Sequence, residues 1–297
     1  MSNEERDDDN MEQRITGSTV LLGLFGSPVK HSVSPMMHNL SFEALGLDYA
    51  YLAFEVGSGE VPQAIAALKA FRMRGANVTM PCKTAVVPLM DRLTPAAQMV
   101  GAVNTIINDE GVLTGHITDG EGYLRSLREE GFEISGKKVV LLGAGGAATA
   151  ICAQAALDGA AQITVFNRNE ERARNMVSRI EGKTNCTLEV FPLNDREALK
   201  YSLDKSELLI NATQVGMKPM EGQSPIPDQS FLHRELFVSD VIYQPRETLL
   251  LQMAKETGCR TMNGLGMVLY QGAASFEKWT GKPMPVELVK KALFPEK

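Results

Sequence analysis

Cysteine is scarce in this chain: Cys82, Cys152, Cys186 and Cys259 are the four present in 297 residues, and they stand far apart. With no Cys-x-x-Cys pair and no histidine cluster beside them, their spacing argues against a zinc ribbon or a disulfide framework. It reads instead as reduced, structural thiols in a cytoplasmic protein. Long apolar runs are also missing, so no segment is expected to span a membrane. Positive charge is in deficit: 30 Lys and Arg face 36 Asp and Glu, a formal net charge of -6. A nucleic-acid binder would show the opposite, basic footprint. Any anionic ligand must therefore be met locally, by a few cations, hydroxyls and helix N-termini. Internal repeats and low-complexity segments are absent too. The opening segment, Met1 to Arg14, has no apolar core and so does not read as a secretory signal; residues 1–16 are expected to form a flexible tail.

What is present is an ordinary globular composition, 44% hydrophobic and 22% charged, in a chain long enough for two domains. Thr19 to Phe25 reads as a buried strand. Ser34 and Pro35 then suit the cap and first position of a helix whose buried face would be Met36, Leu40, Ala44 and Leu47. Tyr49 to Val56 is strand-like, Val61, Ile65 and Leu68 mark a second helix, and Gly75 to Thr79 is a short strand ending at Pro81. Asn104 to Asn108 and Val112 to Thr118 form two strands across the Asp109-Glu110-Gly111 turn, followed by a helix through Tyr123, Leu124 and Leu127. Beyond Gly136 the runs Val139 to Leu142, Ile163 to Phe166, Leu188 to Phe191, Leu208 to Ala212 and Phe237 to Tyr243 read as parallel strands, each pair separated by a helix-length segment.

The expected fold is α/β with two domains. An N-terminal α/β substrate-binding catalytic domain takes residues 17–119 and regains the chain at 264–297. A Rossmann-like doubly wound dinucleotide-binding domain takes 120–263.

The glycine-rich turn supports that division. Gly143, Gly145 and Ala148 fit G-x-G-x-x-G/A spacing after a strand and before an Ala-rich helix, where the glycines make the turn and admit a pyrophosphate. About 20 residues on, the second strand should end near the adenosine ribose, where an acid favours NAD and an arginine accommodates the 2′-phosphate of NADP. Both signals occur, in Arg168 and Arg172 against Glu170 and Glu171. A like-charge contact near 4 Å costs on the order of 4 kcal/mol at an effective dielectric of 20, so the reading favours NAD over NADP. The bland alternative is a solvated helix start with acids in its first turn.

Ahead of this turn lie Lys83, at the end of Asn77-Val78-Thr79-Met80-Pro81-Cys82-Lys83, and Asp119 in Thr118-Asp119-Gly120. A lone lysine is usually solvated. Here polar Asn77 and Thr79 interrupt an apolar strand, Pro81 fixes the backbone, and a carboxylate could orient the ammonium, so the two suggest a proton-handling pair. A structural ion pair is the plainer alternative. His31-Ser32-Val33-Ser34-Pro35 brings two hydroxyls to a helix start, a site suited to a carboxylate, or simply a cap.

At this point the motifs carry a resemblance. Gly26-Ser27-Pro28 with Ser32-Val33-Ser34-Pro35, Asn77 to Lys83, Gly101-Ala102-Val103-Asn104-Thr105, Thr118-Asp119-Gly120, Gly143 to Ala147, Asn211-Ala212-Thr213, Asp240 to Pro245 and Gly264 to Gln271 resemble shikimate dehydrogenases in order and spacing. Leu93 to Gly101, Val215 to Pro219 and Glu170 look most like the quinate/shikimate branch. The resemblance implies NAD(P)-linked interconversion of 3-dehydroshikimate and shikimate, with quinate as a further substrate, and leaves room for a homodimer. It implies that Lys83 handles the proton at the reacting oxygen with Asp119 as partner. Ser32 and Ser34 would hold the carboxylate, and Thr79, Asn104, Tyr243 and Gln271 would contact the carboxylate or ring hydroxyls. Gly143, Ala144, Gly145, Gly146, Ala147, Asn167, Arg168, Glu170, Arg172, Thr213 and Val241 would hold the cofactor, with Gly264 and Met267 beside the nicotinamide; no metal is implied. Ile117 stands where the family usually has Asn. Asn167 to Arg172 replaces the NADP-type Asn-Arg-Thr pattern, whereas Thr79 is the form of strict shikimate enzymes. The rival of a different class is a nucleotide-responsive binding or regulatory protein on the same fold.

Overall fold

The structure, a computed structural model, describes residues 15–295. The expected tail therefore lies, except for Ile15 and Thr16, outside the described residues. The first sheet comprises β1 (Val20–Gly26), β2 (Tyr49–Glu55), β3 (Gly75–Val78), β4 (Arg92–Leu93), β5 (Thr105–Asp109) and β6 (Val112–His116), with α1 (Ser34–Ala44), α2 (Val61–Ala70) and α3 (Pro95–Val100) between strands. Its strands lie in the order β2-β1-β3-β5-β6-β4. β1 runs parallel to β2 and β3, while β5 is antiparallel to β3 and β6. The sheet is thus mixed, and its carboxyl edge presents the segment after β3.

α4 (Thr118–Glu129) carries the chain across to the second sheet. There the chain builds β7 (Lys138–Leu142), α5 (Gly146–Leu157), β8 (Gln162–Asn167), α6 (Glu170–Ser178), β9 (Thr187–Pro192), α7 (Arg196–Leu203), β10 (Leu208–Asn211), β11 (Phe237–Asp240), α8 (Leu249–Thr257) and β12 (Arg260–Met262). The order β12-β11-β10-β7-β8-β9 is parallel throughout. This is the doubly wound arrangement, and its ligand crevice opens at the carboxyl ends of β7 and β10, where the winding reverses. β7 and β10 are central strands, apolar and buried on both faces as parallel strands require. α9 (Leu265–Thr280) and α10 (Val286–Leu293) then return to the first sheet. No helix among the described residues is long and apolar enough to cross a membrane.

Three sequence expectations differ in detail. Ser34 does not cap α1: it is the first helical residue, Val33 occupies the cap position, and Ser32 Oγ accepts from the Ser34 amide at 3.2 Å. The buried face of α1 is Met37, His38, Ser41 and Phe42 rather than Met36, which is 62% exposed. The one-residue rotation places His38 and Phe42 in a ring cluster with Tyr51, Phe276 and Trp279. Between β10 and β11 the helix-length segment holds only a 3-10 turn, Gln229–Phe231, among the described residues. Pro219, Pro225 and Pro227 remove backbone donors there. The two shortest strands, β4 and β12, carry too little pattern to be read from sequence.

α4 is held from both sides through its glycines. A Cβ at Gly120 would lie 2.2 Å from the Ala150 carbonyl oxygen in α5, and one at Gly122 would lie 2.3 Å from the Gln271 amide nitrogen in α9. Only hydrogen at both positions permits these backbone approaches, which fix the helix start beside both sheets.

Candidate active site

Lys83 lies in the turn that follows β3. The segment is pinned at both ends: Thr79 N–H donates to the Phe25 carbonyl at 2.8 Å, and the Lys83 carbonyl accepts from Val103 N–H at 2.8 Å. Asp119 is in the first turn of α4, where the helix dipole favours an acid. Lys83 Nζ meets Asp119 Oδ2 at 2.7 Å, with the side chains 29% and 17% exposed. The other carboxylate oxygen accepts from Asn104 Nδ2 at 3.1 Å, and Asn104 Oδ1 accepts from the Thr118 amide at 2.8 Å. Both oxygens are thus oriented, leaving the ammonium facing a cavity of about 450 Å³.

That cavity gathers Ser32, Ser34, Thr79, Asn104 and Gln271 around the pair, with His31, Asn77, Leu24, Pro28, Val78, Met267 and Val268 completing the wall. It is neutral apart from Lys83 and Asp119, which balance, and His31. Such a pocket orients a small polyhydroxylated ring by hydrogen bonds and places one ammonium at one ring substituent. Tyr243, expected among the substrate contacts, does not join this wall; it lines the neighbouring cavity instead.

Behind the wall is a polar network that the sequence reading left out. The Tyr51 hydroxyl donates to Asn77 Oδ1 at 2.8 Å, Asn77 Nδ2 lies 3.1 Å from Thr105 Oγ1 and Ser275 Oγ, and Thr105 Oγ1 lies 2.7 Å from Ser275 Oγ. Ser275 and Thr118 each donate to the Gln271 carbonyl at 3.0 Å. Burial pushes the Tyr51 phenol well above its ordinary range, so it remains a donor. The network ties β2, β3, β5, α4 and α9 together behind Lys83 and Asp119. Asn77 and Thr105, polar residues in buried strands, were the available signal; Ser275 carried none. Ile117, at the cap position of α4, makes no side-chain cap bond and is buried, 5% exposed. The hydrogen bond that asparagine would supply there is absent, and Asp119 keeps its other partners.

The glycine turn lies between β7 and α5. Gly143 has φ +109°, and a Cβ there would be 2.8 Å from the Ala212 carbonyl oxygen, so the position requires glycine. Gly145 and Gly146 have nothing within 4 Å of where a Cβ would stand. This is an open approach to a helix N-terminus, and it suits a dinucleotide pyrophosphate. On one side is a cavity of about 700 Å³ lined by Gly145, Gly146, Ala147, Ala212, Thr213, Lys218, Val241 and Tyr243. On the other is one of about 510 Å³ lined by Ala144, Asn169, Glu171, Arg172 and Arg179, facing Thr84, Val100 and Ala102. Asn169 caps α6, its Oδ1 accepting from the Arg172 amide at 2.9 Å, and its carbonyl accepts from Asn167 Nδ2 at 2.7 Å. Glu170 pairs with Arg174 one turn along α6, and neither Glu170 nor Arg168 lines the cavity. Gly264 lies against Val241, where a Cβ would meet the Val241 carbonyl oxygen at 1.9 Å, while Met267 faces the substrate cavity.

Known proteins share this fold. Residues 24–106 match the shikimate dehydrogenase substrate binding domain, 126–226 match shikimate / quinate 5-dehydrogenase, and 264–294 match the shikimate 5'-dehydrogenase C-terminal domain. The chain is 53% identical over 285 residues to a shikimate dehydrogenase (NADP(+)) of Listeria innocua, covering 95% of this chain and 98% of that protein. The crystal structure of shikimate 5-dehydrogenase from Listeria monocytogenes in complex with shikimate and NAD superposes with a TM-score of 0.93 at 53% identity, covering 95% of this chain and 98% of that one. Quinate dehydrogenase from Corynebacterium glutamicum in complex with NAD is more distant, with a TM-score of 0.84 at 28% identity, covering 94% of this chain and 99% of that one. The matches run from the Lys83 cavity through the glycine turn to α9, and the chain belongs to the shikimate dehydrogenase family of oxidoreductases.

Proposed function

We propose that this protein catalyses the reversible NAD(P)-linked reduction of 3-dehydroshikimate to shikimate. The observation that carries the reading is the 2.7 Å contact between Lys83 and Asp119 at a cavity whose wall includes Ser32, Ser34, Thr79, Asn104 and Gln271. Residues 17–119 with 264–297 form the substrate-binding part, and residues 120–263 the cofactor-binding part. Ser32 and Ser34, at the N-terminus of α1, receive the substrate carboxylate. Thr79, Asn104 and Gln271 orient the ring, while Tyr243 belongs to the cofactor-side cavity. Lys83 donates a proton to the carbonyl oxygen as that oxygen becomes the alcohol, and accepts it in the reverse direction. Asp119 holds the ammonium in place and accepts from a substrate hydroxyl. The dinucleotide, when bound at Gly143 to Ala147, supplies or takes up the hydride.

Either dinucleotide is accommodated in this reading. The preference for NAD set Glu170 and Glu171 against the arginines; the Glu170 carboxylate is engaged by Arg174, whereas Arg172 and Arg179 face the adenosine-side cavity alongside Glu171. These two cations support acceptance of the 2′-phosphate as well. The four cysteines are free, in keeping with a reducing, cytoplasmic setting. Incubating the purified protein with shikimate and each oxidised nucleotide tests the proposal through the near-ultraviolet absorbance of the reduced nicotinamide. A shikimate-dependent rise is expected; no rise with either nucleotide would leave only a nucleotide-responsive binding protein.

A further inference from the structure

Asp240 ends β11 and is completely buried, with no cation paired to it among the described residues. Its partners are all donors. Oδ1 accepts from the Ile242 amide at 3.0 Å, and Oδ2 accepts from Thr248 Oγ1 at 2.8 Å and from Asn211 Nδ2 at 3.1 Å. Asn211 ends β10 directly beside Asp240. Its Nδ2 also donates to the Val215 carbonyl at 3.1 Å, while its Oδ1 accepts from the Thr213 amide at 3.1 Å and the Thr213 hydroxyl at 2.7 Å. The carboxylate therefore sits at the junction of two loops, Ala212 to Lys218 and Val241 to Pro245. Both line the 700 Å³ cavity opposite the glycine turn.

An unpaired buried carboxylate is costly, and burial raises the Asp240 pKa against the opposing pull of its hydrogen bonds. Packing alone does not account for it, since what the carboxylate adds over an apolar side chain of the same size is acceptor capacity for the Ile242 amide, the Thr248 hydroxyl and the Asn211 amide. An amide would not serve either. Every group facing the carboxylate presents a hydrogen, so an asparagine would turn its own NH₂ toward another donor on one side or the other.

We propose that Asp240 is a positioning residue for the dinucleotide, its carboxylate locking together the two loops that receive the cofactor across from the glycine turn. The inference rests on the cofactor reading above and extends it to a residue that touches no ligand. Thr213 and Val241, which face the cavity, hold their places because Asn211 and the Ile242 amide are both tied to the one carboxylate. Thr248, which caps α8, supplies the third tie. Preorganisation of this kind acts on cofactor affinity first and on the remote substrate pocket least.

The test measures the dissociation constants of NADH and NADPH from nucleotide fluorescence, together with KM for shikimate and the melting temperature, in the parent, Asp240→Asn, Thr248→Val and Thr248→Ser. Asp240→Asn is expected to weaken both nucleotides about tenfold and Thr248→Val about threefold, as the loss of the carboxylate acceptor and of one hydroxyl that donates to it implies. KM for shikimate should change less than about threefold, and Thr248→Ser, which keeps the hydroxyl, should bind nucleotide within about twofold of the parent. Should Asp240→Asn fail to fold, the Thr248 pair decides the matter. Unchanged nucleotide binding, a shikimate KM that rises in step with it, or a serine variant as weak as the valine one would overturn the inference. An inactive parent that still binds nucleotide would sink the proposed reaction and leave this test standing, whereas a parent that binds neither nucleotide would sink both.

Discussion

At the scale of single residues, the site depends on one amine oriented by one acid. Lys83→Ala should lower kcat by about 10²–10⁴, the usual worth of a positioned general acid or base, and change KM for shikimate only a few-fold. Equal turnover in variant and parent would remove Lys83 from the mechanism. His38 has a different role, stacked against Tyr51 with ring centroids 4.5 Å apart and edge-on to Trp279 at 5.3 Å. Burial lowers its pKa from 6.5 to about 3, so the folded chain keeps the ring neutral where the unfolded chain takes up a proton. Its contribution to stability is complete above about pH 6.5 and is lost as pH falls toward 3, at about 1.4 kcal/mol per pH unit. His38→Phe retains the ring stack and removes this slope. Between pH 7 and 5 the variant should lose about 2 kcal/mol less unfolding free energy than the parent, measured by urea titration at each pH. Parallel losses would show that the imidazole is not the titrating group.

At the scale of elements, placement of the pair depends on how closely α4 approaches α9. Gly122→Ala would force a methyl against the Gln271 backbone, costing about 1–3 kcal/mol by overpacking. It should raise KM for shikimate more than KM for nucleotide, because Gln271 lines the substrate cavity; equal effects on both would mean the strain is relieved elsewhere. In α6, Glu170→Ala should leave the NADP to NAD preference within about twofold, while Arg172→Ala should reduce use of NADP selectively, as loss of a phosphate partner does. A selective gain of NADP activity in Glu170→Ala would restore that acid to the ribose site. These elements also show what a sequence discloses. Five of the six strands of the second sheet, the glycine turn and the approach of Lys83 to Asp119 were readable because buried parallel strands are continuous apolar runs and because turn chemistry needs glycine at fixed spacing. The face of α1 was misread by one residue, since His38 and Ser41 are polar by composition yet buried by ring stacking and a back-bond to the Met37 carbonyl. The direction of Glu170 was not legible either: an i,i+4 arginine took its carboxylate, and pairing along a helix surface competes with any ligand.

For the whole molecule, α4 and α9 join the two sheets, and one cavity is lined from both parts, by Thr84, Val100 and Ala102 and by Ala144, Arg172 and Arg179. In the proposed reaction the substrate groups come from the carboxyl edge of β3, from the start of α4 and from α9, which line one cavity, and the dinucleotide is received at the glycine turn after β7. The reaction therefore needs both parts in register. The chain pattern revealed the two-part architecture, because the mixed first sheet and the parallel second sheet differ in strand spacing. Of the buried network of Tyr51, Asn77, Thr105 and Ser275, Asn77 stood out as a polar residue in an apolar strand, but its partners are distant in sequence and the sequence does not link them. In the proposed mechanism a proton at Lys83 and a hydride at the dinucleotide act on the same shikimate carbon–oxygen bond. Initial rates of nicotinamide reduction with shikimate and with quinate, each paired with NAD and NADP, put this to the test. Saturable, shikimate-dependent reduction is expected with at least one nucleotide, with a higher specificity constant for shikimate than for quinate; absence of reduction under all four pairings would rule the mechanism out.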